Sequence, residues 1–109
     1  MTVVRFFKNH QGITGFEAKG HAGFADAGQD IVCAAISVLT QTAVIGLEKV
    51  VQIKPKVKVR KKDGYLKCML PNRLSPEAWK ECQIIFQVLQ AGLQGIVCEY
   101  EDFLRIEEV

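Results

Sequence analysis

The sequence predicts an α+β fold, a two-layer sandwich with element order ββαββαβ in which a mainly antiparallel sheet carries two helices on one face. Paired segments of alternating apolar residues, joined by turn residues, predict hairpins. Two longer stretches with capping residues and apolar residues at helical spacing predict the helices. The 109 residues suit a single domain spanning 1–109.

Residues 2–8, rich in Val and Phe, read as the first strand, and Asn9-His10-Gln11-Gly12 as its turn. Ile13 to Lys19 returns as the second strand, with Thr14, Phe16 and Ala18 on one side. Gly20 to Gln29 has three glycines and no periodicity, and reads as a loop. Asp30 caps a helix running from Ile31 to about Lys49. Ile31, Ala34, Ala35, Val38, Leu39, Thr42, Ile45 and Leu47 cover most of its surface, which predicts burial against a sheet or a second subunit.

After Pro55, Val57 and Val59 alternate with Lys56, Lys58 and Arg60, and Asp63-Gly64 signals a two-residue hairpin to the strand Tyr65–Leu70. Ser75-Pro76-Glu77 combines a capping hydroxyl, a first-turn proline and an acid at the positive helix end. Ala78, Cys82, Ile85, Phe86, Leu89 and Leu93 form the apolar stripe of the second helix. Gly92 and Gly95 are expected to close it, and Ile96 to Ile106 to form the last strand.

A formal net charge of +2 names no partner, although cations crowd Lys54–Lys62 and acids the C-terminus. The N-terminal residues lack the pattern of a signal peptide, and no apolar run reaches the ~18 residues of a spanning helix, so a cytoplasmic protein is expected. Four widely spaced cysteines, without a CxxC pair and with two histidines, argue against a zinc site. Neither metal nor cofactor is expected, and the cysteines read as free thiols.

Cys68, Cys82 and Cys98 sit on apolar patterns and read as small buried hydrophobes. Cys33 lies about three residues into a helix that follows a glycine-bearing loop. Unpaired backbone N–H groups and the helix dipole favour a thiolate there, and the same N–H groups could hold an oxyanion. His21 stands at the far end of the loop, which can fold back to give a Cys–His pairing; a surface histidine after a strand is the plainer reading. Asp30 is a cap first, and an orienting partner for His21 second. Ser37, one turn after Cys33, could bond near the site or back to its own helix.

The segments Gly20-His21-Ala22-Gly23 and Gly28-Gln29-Asp30-Ile31-Val32-Cys33-Ala34-Ala35-Ile36-Ser37 resemble the ribosomal-processing cysteine protease family, Prp, of Firmicutes and related bacteria. The resemblance extends over essentially the whole chain. It implies an endopeptidase that removes the N-terminal extension of large-subunit ribosomal protein L-twenty-seven, cutting after an aromatic pair and before a small residue. It implies His21 and Cys33 as the catalytic pair, with Gly20, Asp30 and Ser37 supporting them. It also implies a homodimer, and a loop from Ala22 to Gln29, including Gly23, Phe24 and Gly28, that closes over substrate. Phe24 is a candidate for an aromatic-lined substrate site. The alternative is a non-catalytic, ribosome-associated module whose basic strand Lys54–Lys62 contacts RNA; a solvated edge strand accounts for the same lysines.

Overall fold

Strands β1 (Thr2–Asn9) and β2 (Gly12–Lys19) form the hairpin expected from their alternation and turn cluster. The Asn9 side chain closes the turn by accepting the N–H groups of Gln11 and Gly12. These coordinates are a computed structural model and describe residues 1–26 and 28–109. The chain continues through α1 (Ile31–Gly46), a π turn (Leu47–Val51), β3 (Lys56–Arg60), β4 (Tyr65–Met69), α2 (Pro76–Tyr100) and β5 (Leu104–Glu108). Sheet order is β3-β4-β2-β1-β5. Among the described residues only the β1–β5 pairing is parallel. The α+β architecture and ββαββαβ order are as expected.

The helix-facing side of the sheet presents Val4, Phe6, Phe16, Ala18, Cys68 and Leu104, all buried. Phe16 anchors this layer, with its ring 6.1 Å from Phe6 and 6.1 Å, edge-on, from Phe86 of α2. A β-bulge alters the face assigned to Thr14. Phe7 pairs with Gly15 and Lys8 with Ile13, so Thr14 is the extra residue and Ile13 turns into the core. At this interruption Gln83 of α2 supplies the missing backbone partners: its Oε1 accepts the Ile13 N–H at 2.8 Å and its Nε2 donates to the Ile13 carbonyl at 2.7 Å.

Helix α1 buries Val32, Ile36, Thr40 and Ala43, and Leu47 continues the stripe in the π turn. The apolar residues on its other side, Ile31, Val38 and Ile45, are exposed, so the sheet covers one face and not the full girth. Ile31–Val51 is long and apolar enough to cross a membrane, contrary to the expectation from sequence. Its scattered Ser, Thr and Gln residues interrupt the apolar run without removing its apolar character. The face it presents to the sheet places it in the core of this domain.

The second helix does not end at Gly92 or Gly95 but runs to Tyr100, and the last strand is correspondingly short. The stripe Phe86, Leu89, Leu93 continues to Ile96, Val97 and Tyr100 at helical spacing, which overrides the glycines. Gly92 serves close approach: a Cβ there would lie 3.1 Å from Leu39 Cδ1. Cys98 consequently lies on the exposed side of a helix and not in a strand. The β3–β4 connection also differs. Arg60 pairs with Tyr65, leaving the four residues 61–64 as the loop in place of a two-residue turn.

Gly95 has open space around its Cα and helical neighbours on both sides. Gly95→Ala is expected to stabilise the protein by about 1 kcal/mol in urea unfolding through helix propensity. Gly92→Ala is expected to give no such gain, because the new methyl meets Leu39. Equal gains at both positions would contradict this packing.

Candidate active site

Cys33 is the third residue of α1, and its position is fixed by the cap before it. One Asp30 carboxylate oxygen accepts the Cys33 N–H at 2.8 Å; the other accepts the N–H groups of Phe24 and Ala25 at 3.0 and 3.3 Å. These donors, the Cys33 N–H foremost, hold the Asp30 carboxyl below the usual carboxylate range. The stabilisation is complete above the pKa of an unfolded aspartate and is lost as pH falls through the lower native value.

Asp30 therefore ties the loop to the helix. It is bonded to backbone groups and not to His21. Its bond to Cys33 also corrects the assignment of that N–H to an oxyanion, since the donor is already engaged.

His21 is held from another direction. Its Nε2 lies 3.2 Å from the Lys62 carbonyl oxygen in the β3–β4 loop. A carbonyl only accepts, so this contact requires the proton on Nε2 and leaves Nδ1 as the free base. The loop reaches His21 because Gly20 N–H donates to the Gly64 carbonyl at 3.1 Å. Gly64 has φ +58°, and a Cβ there would lie 2.7 Å from the Gly20 oxygen and 3.0 Å from His21 Cε1. A side chain at position 64 would thus strain the backbone and push the imidazole.

Cys33 and His21 face one groove of about 610 Å³ between α1 and the β3–β4 hairpin. Cys33, Ile36, Ser37, Thr40, Gln41, Val44 and Ile45 form the helix wall, while Val57, Val59 and Leu66 form the strand wall. Gly20, His21, Lys61 and Gly64 also border it. Among the described residues no hydrogen bond joins the thiol to the imidazole. Ser37 Oγ accepts from Gln41 Nε2 at 2.6 Å, so its own proton is available to a groove ligand.

The loop residues are more dispersed. Ala22 is buried; Gly23 and Gly28 are exposed, and Ala27 of the expected loop lies outside the described residues. Phe24 does not line the groove. Its ring stands edge-on to Tyr100 at 5.6 Å and Phe103 at 5.3 Å, which is the loop-packing role. Sequence reasoning missed the Lys62 carbonyl, which no residue-type pattern can mark. It also missed the aliphatic strand wall, whose valines looked like an ordinary edge-strand pattern.

This α+β fold is shared with proteins that are cysteine proteases. The family model for cysteine protease Prp matches residues 1–105, and the chain belongs to that family. The ribosomal processing cysteine protease Prp of Bacillus subtilis (strain 168) is 33% identical over 96 residues, covering 88% of this chain and 86% of that protein. The crystal structure of the essential ribosomal processing protease Prp from S. aureus, with a covalently linked product peptide, matches at a TM-score of 0.89 and 25% identity. That match covers 100% of both chains. The S. aureus protease with a substrate peptide matches at 0.84 and 24% identity over 100% of both chains, a likeness of fold.

All four cysteines are free, but their surroundings separate them. Burial pushes the Cys68 thiol up to about 12 and the Cys82 thiol up to about 11. Iodoacetamide is expected to label Cys33 and exposed Cys98 in the native protein and to spare Cys68 and Cys82 until denaturant is added, as read by peptide mass spectrometry. Early labelling of Cys68 would contradict its place in the core.

Proposed function

We propose that the protein is an endopeptidase that removes the N-terminal extension of large-subunit ribosomal protein L-twenty-seven, cutting after an aromatic pair and before a small residue, with Cys33 as nucleophile and His21 as base. The observation that carries this reading is the shared groove: thiol and imidazole face one apolar cleft, and the Lys62 carbonyl leaves His21 Nδ1 free to accept a proton. The covalently linked product peptide in the S. aureus relative supports a thiol attack on a peptide.

In the proposed reaction His21 Nδ1 takes the Cys33 proton and the thiolate attacks the scissile carbonyl. The tetrahedral species collapses to a thioester as the C–N bond breaks, and His21 returns the proton to the departing amine. Water, deprotonated by His21, then cleaves the thioester to release the acid and restore the thiol. The aliphatic walls offer a dry surface for the bulky side chains before the cut. Asp30, Gly20 and Ser37 support this pair, and the loop Ala22 to Gln29 closes over the bound peptide. The reaction belongs in the cytoplasm, where thiols stay reduced and ribosomal proteins are made.

The working unit is proposed to be a homodimer. Val38 of α1 is 63% exposed and Val88 of α2 66% exposed, and Ile31 and Ile84 are exposed on the same two helices. A second copy would cover such residues through a self-complementary contact. Sedimentation velocity is expected to give a dimer for wild type and a monomer for Val38→Glu/Val88→Glu. A monomeric wild type at tens of micromolar would remove the dimer from the proposal.

The catalytic test uses a peptide with an aromatic pair before Ala-Ser. Wild type is expected to cleave it, Cys33→Ala to be inactive, and His21→Ala to lose on the order of 10²–10⁴-fold in kcat. Gly64→Ala is expected to lose about tenfold or more through displacement of His21 while circular dichroism stays native. Full activity of Cys33→Ala would end the proposal.

A further inference from the structure

The sheet face turned away from the helices carries a charge pattern that the groove does not use. Val57 and Val59 face the groove, so Lys56, Lys58 and Arg60 of β3 lie on the opposite side. Lys67 and Tyr65 of β4 and Phe7 of β1 share that side: Lys67 Nζ lies 5.4 Å from the Phe7 ring centre, and the Arg60 guanidinium lies 4.2 Å from that of Tyr65.

The carboxylates that could neutralise this region are already engaged. Glu17 accepts from Tyr65 and Arg5, Glu107 pairs with Arg5 and Arg105, and Asp63 pairs with Arg60. Among the described residues Lys56, Lys58 and Lys67 have no ion-pair partner.

Protection of a free sheet edge explains lysines on β3. It does not reach Lys67, which lies on an inner strand between Lys58 of β3 and Glu17 of β2. Glu17 offsets part of the Lys58–Lys67 repulsion, but its carboxylate is shared with Tyr65 and Arg5, so a bound polyanion would lower the repulsion that remains. The cations alternate with flat groups, since the Tyr65 and Phe7 rings and the Arg60 guanidinium lie among the ammonium groups on an open sheet. An acidic peptide would use the charges alone; a nucleic-acid strand uses charges for phosphates and planes for bases.

We infer that the open face of β3 and β4 binds single-stranded RNA through Lys56, Lys58 and Lys67, with the Arg60–Tyr65 stack and Phe7 as contacts for bases. This surface lies on the reverse side of the hairpin that walls the groove. RNA bound there would bring the protein to substrates embedded in ribonucleoprotein, with the groove left open.

The test measures binding of a labelled single-stranded RNA of about 20 nucleotides to the Cys33→Ala protein, so it does not depend on the protease reading. Wild-type surface residues are expected to give binding at about 50 mM salt that weakens steeply as salt rises. Lys56→Gln/Lys58→Gln/Lys67→Gln is expected to bind at least tenfold more weakly, with its log–log salt slope reduced by about two. The same triple substitution beside an intact Cys33 is expected to keep peptide cleavage within about twofold and to keep the native circular dichroism, because the three side chains are on the face away from the groove. Absence of RNA binding, equal binding by the triple variant, equally tight binding of poly-glutamate, or a parallel loss of peptide cleavage would each overturn the inference.

Discussion

The Asp30 carboxylate is the junction on which the rest of the site depends. One oxygen fixes the first turn of α1 and with it Cys33; the other gathers the backbone of the preceding loop at Phe24 and Ala25. Without this acceptor the orphan N–H groups of the helix start and those of the loop would compete for water, and the chain between the two motif residues would lose its path. The arrangement also limits the site. A donor already spent on a carboxylate cannot serve a developing oxyanion, so the resting structure places Cys33 without offering its own N–H to a reacting group.

The second requirement is a rigid wall opposite α1, and it comes from the sheet. Phe16, between Phe6 and Phe86, locks the central strands to α2, and Gln83 bonds to Ile13 where the bulge interrupts the ladder. With the central layer fixed, the β3–β4 hairpin can extend past the helices. Its valines then face a groove instead of the core. The same hairpin gives its inner face to the groove, its backbone to His21, and its outer face to the lysines of β3 and β4.

Much of this was legible in the residues. Alternation gave the hairpins, and Asp30 and Ser75 marked both helix starts because a short acceptor before an apolar stripe has a local physical meaning. The motif around His21 and Cys33 marked two residues that border one groove. Element ends were harder. Gly92 and Gly95 read as breakers because the sequence does not disclose that Leu39 presses against one of them while the apolar stripe continues past both. Cys98 was misplaced by the same error. The bulge at Thr14 and the four-residue hairpin loop depend on pairing register, which is set by partners distant in the chain.

The grip on His21 comes from the main chain, and this has an evolutionary consequence. Exchanging the side chain at position 62 leaves the carbonyl in place, so ordinary point substitutions there cannot delete the contact. What can delete it is a change in loop length or in the left-handed turn at Gly64. Selection on this part of the protein should therefore act on spacing and backbone path, leaving position 62 free to vary in identity while insertions and deletions between the two strands are purged.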